Sequence, residues 1–124
     1  MIDIIKNQYS EIQIYDNYMI VTMNEGITVL PKHNQILINI VNRYFKKKSF
    51  VYITHRLNSY SVDPAIYFET SKIPNLLGFA IVSKNYKAKL NAEIEKLFFN
   101  KPFEIFNSME LAILWAKTIT GTNQ

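Results

Sequence analysis

Two short, continuously apolar runs place the strongest constraint on the fold of this chain. They read SFVYIT, beginning at residue 49, and LLGFAIVS, beginning at residue 76, and both are rich in β-branched and aromatic residues. Runs of this kind are typical of strands that are covered on both faces, as in a parallel sheet. Each run is followed by a helical pattern, and this alternation of strands and helices predicts an α/β domain with right-handed crossovers.

Apolar residues at three- and four-residue spacings predict the helices that cover this sheet. The first extends over residues 31 to about 47, and the Asp63-Pro64 pair is typical of the start of a brief second helix. A third, amphipathic helix within residues 84–99 is expected to turn one apolar stripe towards the core. That stripe consists of Tyr86, Leu90, Ile94, Leu97 and Phe98.

The two ends of the chain supply the remaining elements. The segment EIQIYDNYMIVTM predicts two antiparallel strands joined at Asp16 and Asn17. Near the other end, FEIF predicts an edge strand, and Asn107 with Glu110 resembles a capping box before a last helix, in which Trp115 is expected to pack against the core.

The predicted order of elements is β-β-α-β-α-β-α-β-α. It describes a mostly parallel sheet with an antiparallel opening strand, covered by helices. A length of 124 residues suits a single domain over residues 1–124, large enough to bury about two-thirds of its unfolded surface. A polar tail is expected from about residue 120, because Gly121 is a plausible helix terminator.

Composition excludes several classes of protein. The chain has no cysteine, which removes disulfides, thiolate nucleophiles and cysteine-ligated metals and favours a cytoplasmic location. The N-terminus lacks a signal pattern, and no apolar run approaches the roughly 20 residues of a membrane span. A net charge of +4 is modest for a nucleic-acid-binding domain, so no nucleic-acid partner is expected.

The stretch ITHRLNSYSVDP, residues 53–64, follows a predicted strand and therefore lies at the carboxyl edge of the sheet, where ligands of α/β proteins bind. We expect its polar residues to contact a partner or a ligand. Ser59 and Ser61 are also candidates for phosphorylation, although such residues commonly bond their own loop backbone. The loop residues concerned are His55, Arg56, Asn58, Ser59, Tyr60, Ser61 and Asp63.

Patterns for catalysis, metal binding and nucleotide binding are absent. His55, the two loop serines and Asp63 have the side chains of a triad, but no G-x-S-x-G elbow is present, and we predict no catalytic residue. His33 and His55 lie 22 residues apart without a pattern of ligand spacing, so no metal is expected. Neither glycine-rich phosphate motif occurs, and we predict no cofactor.

Over nearly its whole length the chain resembles the STAS domain, specifically the SpoIIAA-like relatives of anti-sigma factor antagonists. The resemblance lies in FVYITHRLNSYSVDP, IPNLLGFAIVS and FEIFNSMELAILWAKTI. It implies a non-enzymatic regulatory module that contacts a protein partner, such as a kinase or an anti-sigma-like regulator, through residues 55–63. The family's loop reads approximately Asp-Ser-Ser or Thr-Gly, whereas here Pro64 follows Asp63, so Ser59 and Ser61 correspond to the family's phosphorylated residue by loop position only.

The same resemblance implies an alternative function. The wider STAS and SpoIIAA-like group is associated with small-ligand and lipid binding, which would require an apolar pocket with few polar anchors at the carboxyl edge of the sheet. A homo-oligomer is a further expectation, because an exposed edge strand can pair two copies of a chain.

Overall fold

The described part of the protein, residues 1–121 of a computed structural model, contains eight strands and four α-helices. The strands are β1 (Asp3–Lys6), β2 (Ser10–Ile14), β3 (Tyr18–Met23), β4 (Thr28–Val29), β5 (Phe50–His55), β6 (Ser61–Val62), β7 (Leu76–Val82) and β8 (Phe103–Phe106). The helices are α1 (Asn34–Tyr44), α2 (Ile66–Thr70), α3 (Tyr86–Lys96) and α4 (Met109–Thr120), and a 3-10 turn at Pro31–His33 precedes α1.

Six of these strands form one sheet in the order β1-β2-β3-β5-β7-β8. The pairs from β3 to β8 are parallel, while β1 and β2 add antiparallel strands at one side. The predicted α/β class with a mostly parallel sheet is confirmed. The opening hairpin of β2 and β3 is also confirmed, and the amide of Tyr15 donates to the carbonyl of Tyr18 at 2.9 Å across its turn.

Three short strands are additional to the predicted order. β1 pairs with β2 at the edge of the sheet, and its alternation of half-buried and exposed residues is only four residues long. β4 and β6 contain two residues each and form a separate parallel pair. A two-residue strand has no period that a sequence pattern could show, and its formation depends on the segment that lies beside it.

Helices cover both faces of the sheet. On one face α1, α2 and α3 pack over a core that includes Leu37, Tyr67, Phe79 and Ala92. On the other face Ala112 and Ala116 of α4 lie against Val51, Ile53 and Ala80. Small alanines allow this single helix to approach the strands closely. The middle of the sheet therefore lies between two packed layers.

The prediction that the apolar stripe of α3 faces the core is wrong. Tyr86, Leu90, Ile94 and Leu97 are 75%, 48%, 57% and 82% exposed, and Phe98 is only half-buried. The helix instead buries Ala92 and Glu95. The reason is electrostatic as well as steric, because Glu95 forms a buried ion pair with Arg56, the residue directly after β5.

Both ends of α4 are defined by caps. The side chain of Ser108, rather than the predicted Asn107, accepts the amide of Leu111. Gly121 terminates the helix at φ 77°, as predicted for a left-handed cap. The remainder of the predicted polar tail, residues 122–124, lies outside the described residues. None of the helices within residues 1–121 is long and apolar enough to cross a bilayer.

Candidate functional site

A mostly apolar cavity of about 70 Å³ lies between the sheet and helices α1 and α2. It is on the face of the sheet that α1 covers, and it extends along β3 and β5 towards their carboxyl ends. Its apolar wall includes Val21, Val29, Leu37, Ile40, Val62 and Phe79. The position agrees with the general rule that ligand sites of α/β sheets lie beyond the carboxyl ends of parallel strands.

The β4–β6 pair covers this cavity. Val29 and Val62 are register partners in that pair, and both line the cavity. The predicted recognition loop therefore runs beside the segment after β3 and is hydrogen-bonded to it along its backbone. Gly26 donates to the carbonyl of Ser59 at 2.8 Å, and the amide of Ser61 donates to the carbonyl of Ile27 at 3.0 Å.

Side chains of the predicted loop reinforce this attachment. The Asn58 amide donates to the carbonyl of Met23 at 2.8 Å, and the backbone amide of Ser59 donates to Oε1 of Glu25 at 3.1 Å. Asp63 Oδ1 accepts the amide of Ala65 at 3.1 Å just before α2, which agrees with the predicted helix start. These residues thus hold the cover in place.

A buried ion pair lies beside the cavity. Arg56, directly after β5, also lines the cavity, and its Nη1 donates to Oε2 of Glu95 at 2.9 Å while its Nη2 bonds Oε1. The two side chains are 7% and 8% exposed. Burial disfavours the charge of Arg56 and is the largest single influence on it, but the hydrogen bonds to Glu95, together with the charge of Glu95 and the nearby tyrosines, outweigh burial and raise the pKa of Arg56 above its ordinary value.

Three tyrosines surround this pair. The Tyr67 hydroxyl donates to Oε1 of Glu95, and burial followed by the nearby carboxylate raises the pKa of Tyr67 well above its ordinary value. The Tyr60 ring lies 5.5 Å from Cζ of Arg56, and its hydroxyl is 3.2 Å from Oγ1 of Thr54. Burial also raises the pKa of Tyr52, whose side chain lines the same cavity. The phenols of Tyr67 and Tyr52 are therefore neutral at physiological pH.

One donor of this cluster remains unpaired. Nε of Arg56 is buried and has no hydrogen-bond partner among residues 1–121. The four other N–H groups of a guanidinium lie on Nη1 and Nη2, the two atoms that hold Glu95. A buried charged donor without an acceptor is costly, so Arg56, a residue that lines the cavity, is left with one hydrogen bond unmade.

Within residues 1–121, the side chain of His55 is not hydrogen-bonded to either of the loop serines. It ends β5 half-buried, and burial lowers the pKa of His55 below its ordinary value. In the part of the chain that the structure describes, no hydrogen bond joins its side chain to Ser59 or Ser61. Over the same residues, no group of three or more histidine, cysteine or carboxylate side chains is arranged to hold a metal ion.

The structure brings Arg56 and Tyr60 of the predicted loop together and adds residues that sequence reasoning missed. Glu95 is the most important of these, and Tyr67, Tyr52 and Thr54 complete the cluster. Glu95 does share a helical face with Ala92 and Phe99 at three- and four-residue spacing. A larger apolar stripe on the same helix concealed that signal, because size and hydrophobicity usually mark the buried side.

No family model, curated protein or solved structure matches this chain. The features of the molecule that bear on its function are the cavity, its cover and the buried polar cluster.

Proposed function

We propose that this chain is a non-enzymatic binding domain that holds a small, largely apolar molecule in the cavity between the sheet and helices α1 and α2. The observation that carries the proposal is the combination of a mostly apolar wall with a few polar side chains, among them Arg56, whose buried Nε lacks a partner within residues 1–121. Ligand sites are typically concave and apolar, with a few polar groups that fix the orientation of the ligand.

The volume limits the size of the ligand. The cavity measures about 70 Å³, roughly half of an engineered cavity of about 150 Å³ that binds benzene, and far below the 300–1,000 Å³ that is usual for drug-sized ligands. A molecule of up to about five heavy atoms fits this volume. A whole lipid would require the cover to open widely, so we favour the small-molecule form of the proposal over a lipid carrier.

Xenon binding followed by NMR tests the cavity directly. Xenon enters dry apolar cavities of suitable size, and it should shift the methyl signals of Val29, Val62 and Leu37. Val62→Phe adds a ring to the cavity wall and should abolish these shifts. Ile113→Phe adds the same ring to a half-buried residue of the opposite core and should leave them unchanged. Absence of xenon shifts in the wild-type protein would contradict the proposal.

The resemblance to STAS domains supports this proposal in one respect. Binding of small ligands is associated with the wider STAS and SpoIIAA-like group, and the cavity lies beside the loop that corresponds to the family's functional loop. We include membership of that group in the proposal. The α/β class with an antiparallel opening is compatible with it.

A second candidate function is binding of a protein partner by residues 55–63. The observation in its favour is the exposed tip of the loop, where Leu57 is 67% exposed beside the exposed Asn58 and Ser59. Leu57→Asp should remove a specific protein from the set captured from cell extract, as quantified by mass spectrometry. The same change at Leu97, which is 82% exposed directly after α3, is the matched control.

The phosphoswitch form of the second candidate concerns Ser59 and Ser61, which are both exposed to solvent. Incubation with cell extract and ATP, followed by intact-mass analysis, tests it. A mass increase that is lost in the Ser59→Ala and Ser61→Ala double variant would support a switch. An unchanged mass would count against it and would leave contact through Leu57 as the form to test.

A further inference from the structure

We infer that the cavity selects uncharged molecules that accept a hydrogen bond, and that Nε of Arg56 donates that bond. The inference rests on the proposed function and adds the chemical class of the ligand. It is carried by the unpaired Nε and by the way in which Glu95 already satisfies the rest of the guanidinium.

The charge balance of the cavity excludes anions. Arg56 is the only residue with a full charge among the described residues that line the cavity, and Glu95 compensates it with both carboxylate oxygens. His33, which also lines the cavity, accepts the amide of Leu30 at Nδ1, so its imidazole is held as an acceptor at that atom. A carboxylate that entered would lose its hydration without gaining a free cation.

The unpaired N–H donor of Arg56 favours a ligand that carries a hydrogen-bond acceptor. The unpaired atom of Arg56 carries an N–H and has no acceptor capacity. An uncharged carbonyl or hydroxyl oxygen satisfies this donor without bringing a second negative charge close to Glu95. A purely apolar ligand would leave the donor unpaired and should therefore bind less tightly than a carbonyl compound of equal size.

Access to Nε requires a local movement. Nε has essentially no solvent-accessible area, so an acceptor reaches it only when a neighbouring side chain shifts. Tyr60 is the half-exposed residue whose ring lies against the guanidinium, and its hydroxyl is paired only with Thr54 in the described structure. Rotation of Tyr60 away from Arg56 is therefore the movement that this inference requires.

Two probe molecules of nearly equal size but different charge test whether the charge or the shape of a ligand decides its binding. Propanamide and propanoate have nearly the same size, but only propanoate is an anion at neutral pH. We expect propanamide to bind at least about tenfold more tightly in an NMR titration and to shift the Nε–H signal of Arg56. Equal or tighter binding of propanoate would overturn the inference. Propanamide binding that leaves the Nε–H signal of Arg56 unmoved would also overturn it, because a water molecule would then be the partner of Nε.

Variants of α3 provide an independent test. Glu95→Gln removes the compensating charge and should raise the affinity for propanoate at least about tenfold, whereas Glu93→Gln, an exposed change of the same kind, should not. Unchanged propanoate affinity in a folded Glu95→Gln protein would overturn the inference. If Glu95→Gln does not fold, the comparison of propanamide with propanoate on the wild-type protein decides.

The inference and the proposed function can fail separately. If xenon binds but the protein does not prefer propanamide to propanoate, only this inference is refuted. If xenon does not bind, the proposed function is refuted.

Discussion

Nη1 of Arg56 donates to Oε2 of Glu95 at 2.9 Å and thereby connects residues 39 positions apart in the chain. Arg56 directly follows β5, and Glu95 lies near the end of α3, so the pair joins the carboxyl edge of the sheet to the helix that covers it. More than nine-tenths of each side chain is buried. This relationship explains why α3 turns Ala92 and Glu95 inward and leaves its larger apolar residues exposed.

Glu95→Ala should lower the free energy of unfolding by about 3–5 kcal/mol, because it leaves the Arg56 charge buried without a counter-ion. Replacing both partners, as in Arg56→Met with Glu95→Leu, should recover most of this loss. Chemical denaturation of the single and double variants gives the coupling energy. A double variant no more stable than Glu95→Ala would mean that packing rather than charge holds α3 in place.

The exposed stripe of α3 should contribute little to stability. Leu97 is 82% exposed, so Leu97→Ala should change the free energy of unfolding by no more than about 0.5 kcal/mol. Leu37 is 7% exposed on α1, and Leu37→Ala should cost about 2–5 kcal/mol. Denaturation of the two variants side by side compares the same substitution in two environments. Similar losses at both positions would show that α3 buries its stripe.

The predictions from sequence succeeded where a periodic pattern and local chemistry coincide. The long strands, the opening hairpin and the left-handed cap at Gly121 were predicted because each has its own local cause in the chain. The orientation of α3 and the role of Arg56 were missed, because both depend on Glu95, which lies far away in sequence. A buried ion pair has no periodic pattern, and its partners become neighbours only when the chain is folded.

Gly78 of β7 lies where helix α4 approaches the sheet closely. A Cβ at this position would lie 2.7 Å from Cη2 of Trp115 and 2.9 Å from Cδ1 of Ile119. Gly78→Ala should therefore cost about 1–3 kcal/mol of stability and displace the indole, which tryptophan fluorescence can detect. Trp115→Phe in the same chain should relieve part of that cost. Wild-type stability and fluorescence in Gly78→Ala would show that α4 is packed less closely than described.

His55 should make stability depend on pH. Burial lowers its pKa in the folded protein below the ordinary value of 6.5, so the unfolded chain binds the proton more readily. The free energy of unfolding should be highest above pH 6.5, should fall as the pH decreases through that value, and should level off below the folded pKa. His55→Gln should reduce this dependence. Denaturation midpoints from about pH 8 to about pH 5 measure it, and an NMR titration assigns it to His55.

A phosphate on Ser59 should loosen the cover of the cavity. The backbone amide of Ser59 donates to Oε1 of Glu25 at 3.1 Å, so added negative charge at Ser59 would face that carboxylate and repel it. Ser59→Glu should accelerate hydrogen exchange of the Gly26 amide, which donates to the carbonyl of Ser59. Adding Glu25→Gln should restore most of the protection. Equal exchange in Ser59→Glu and wild-type protein would show that the cover withstands the charge, and that phosphorylation at this position does not loosen it.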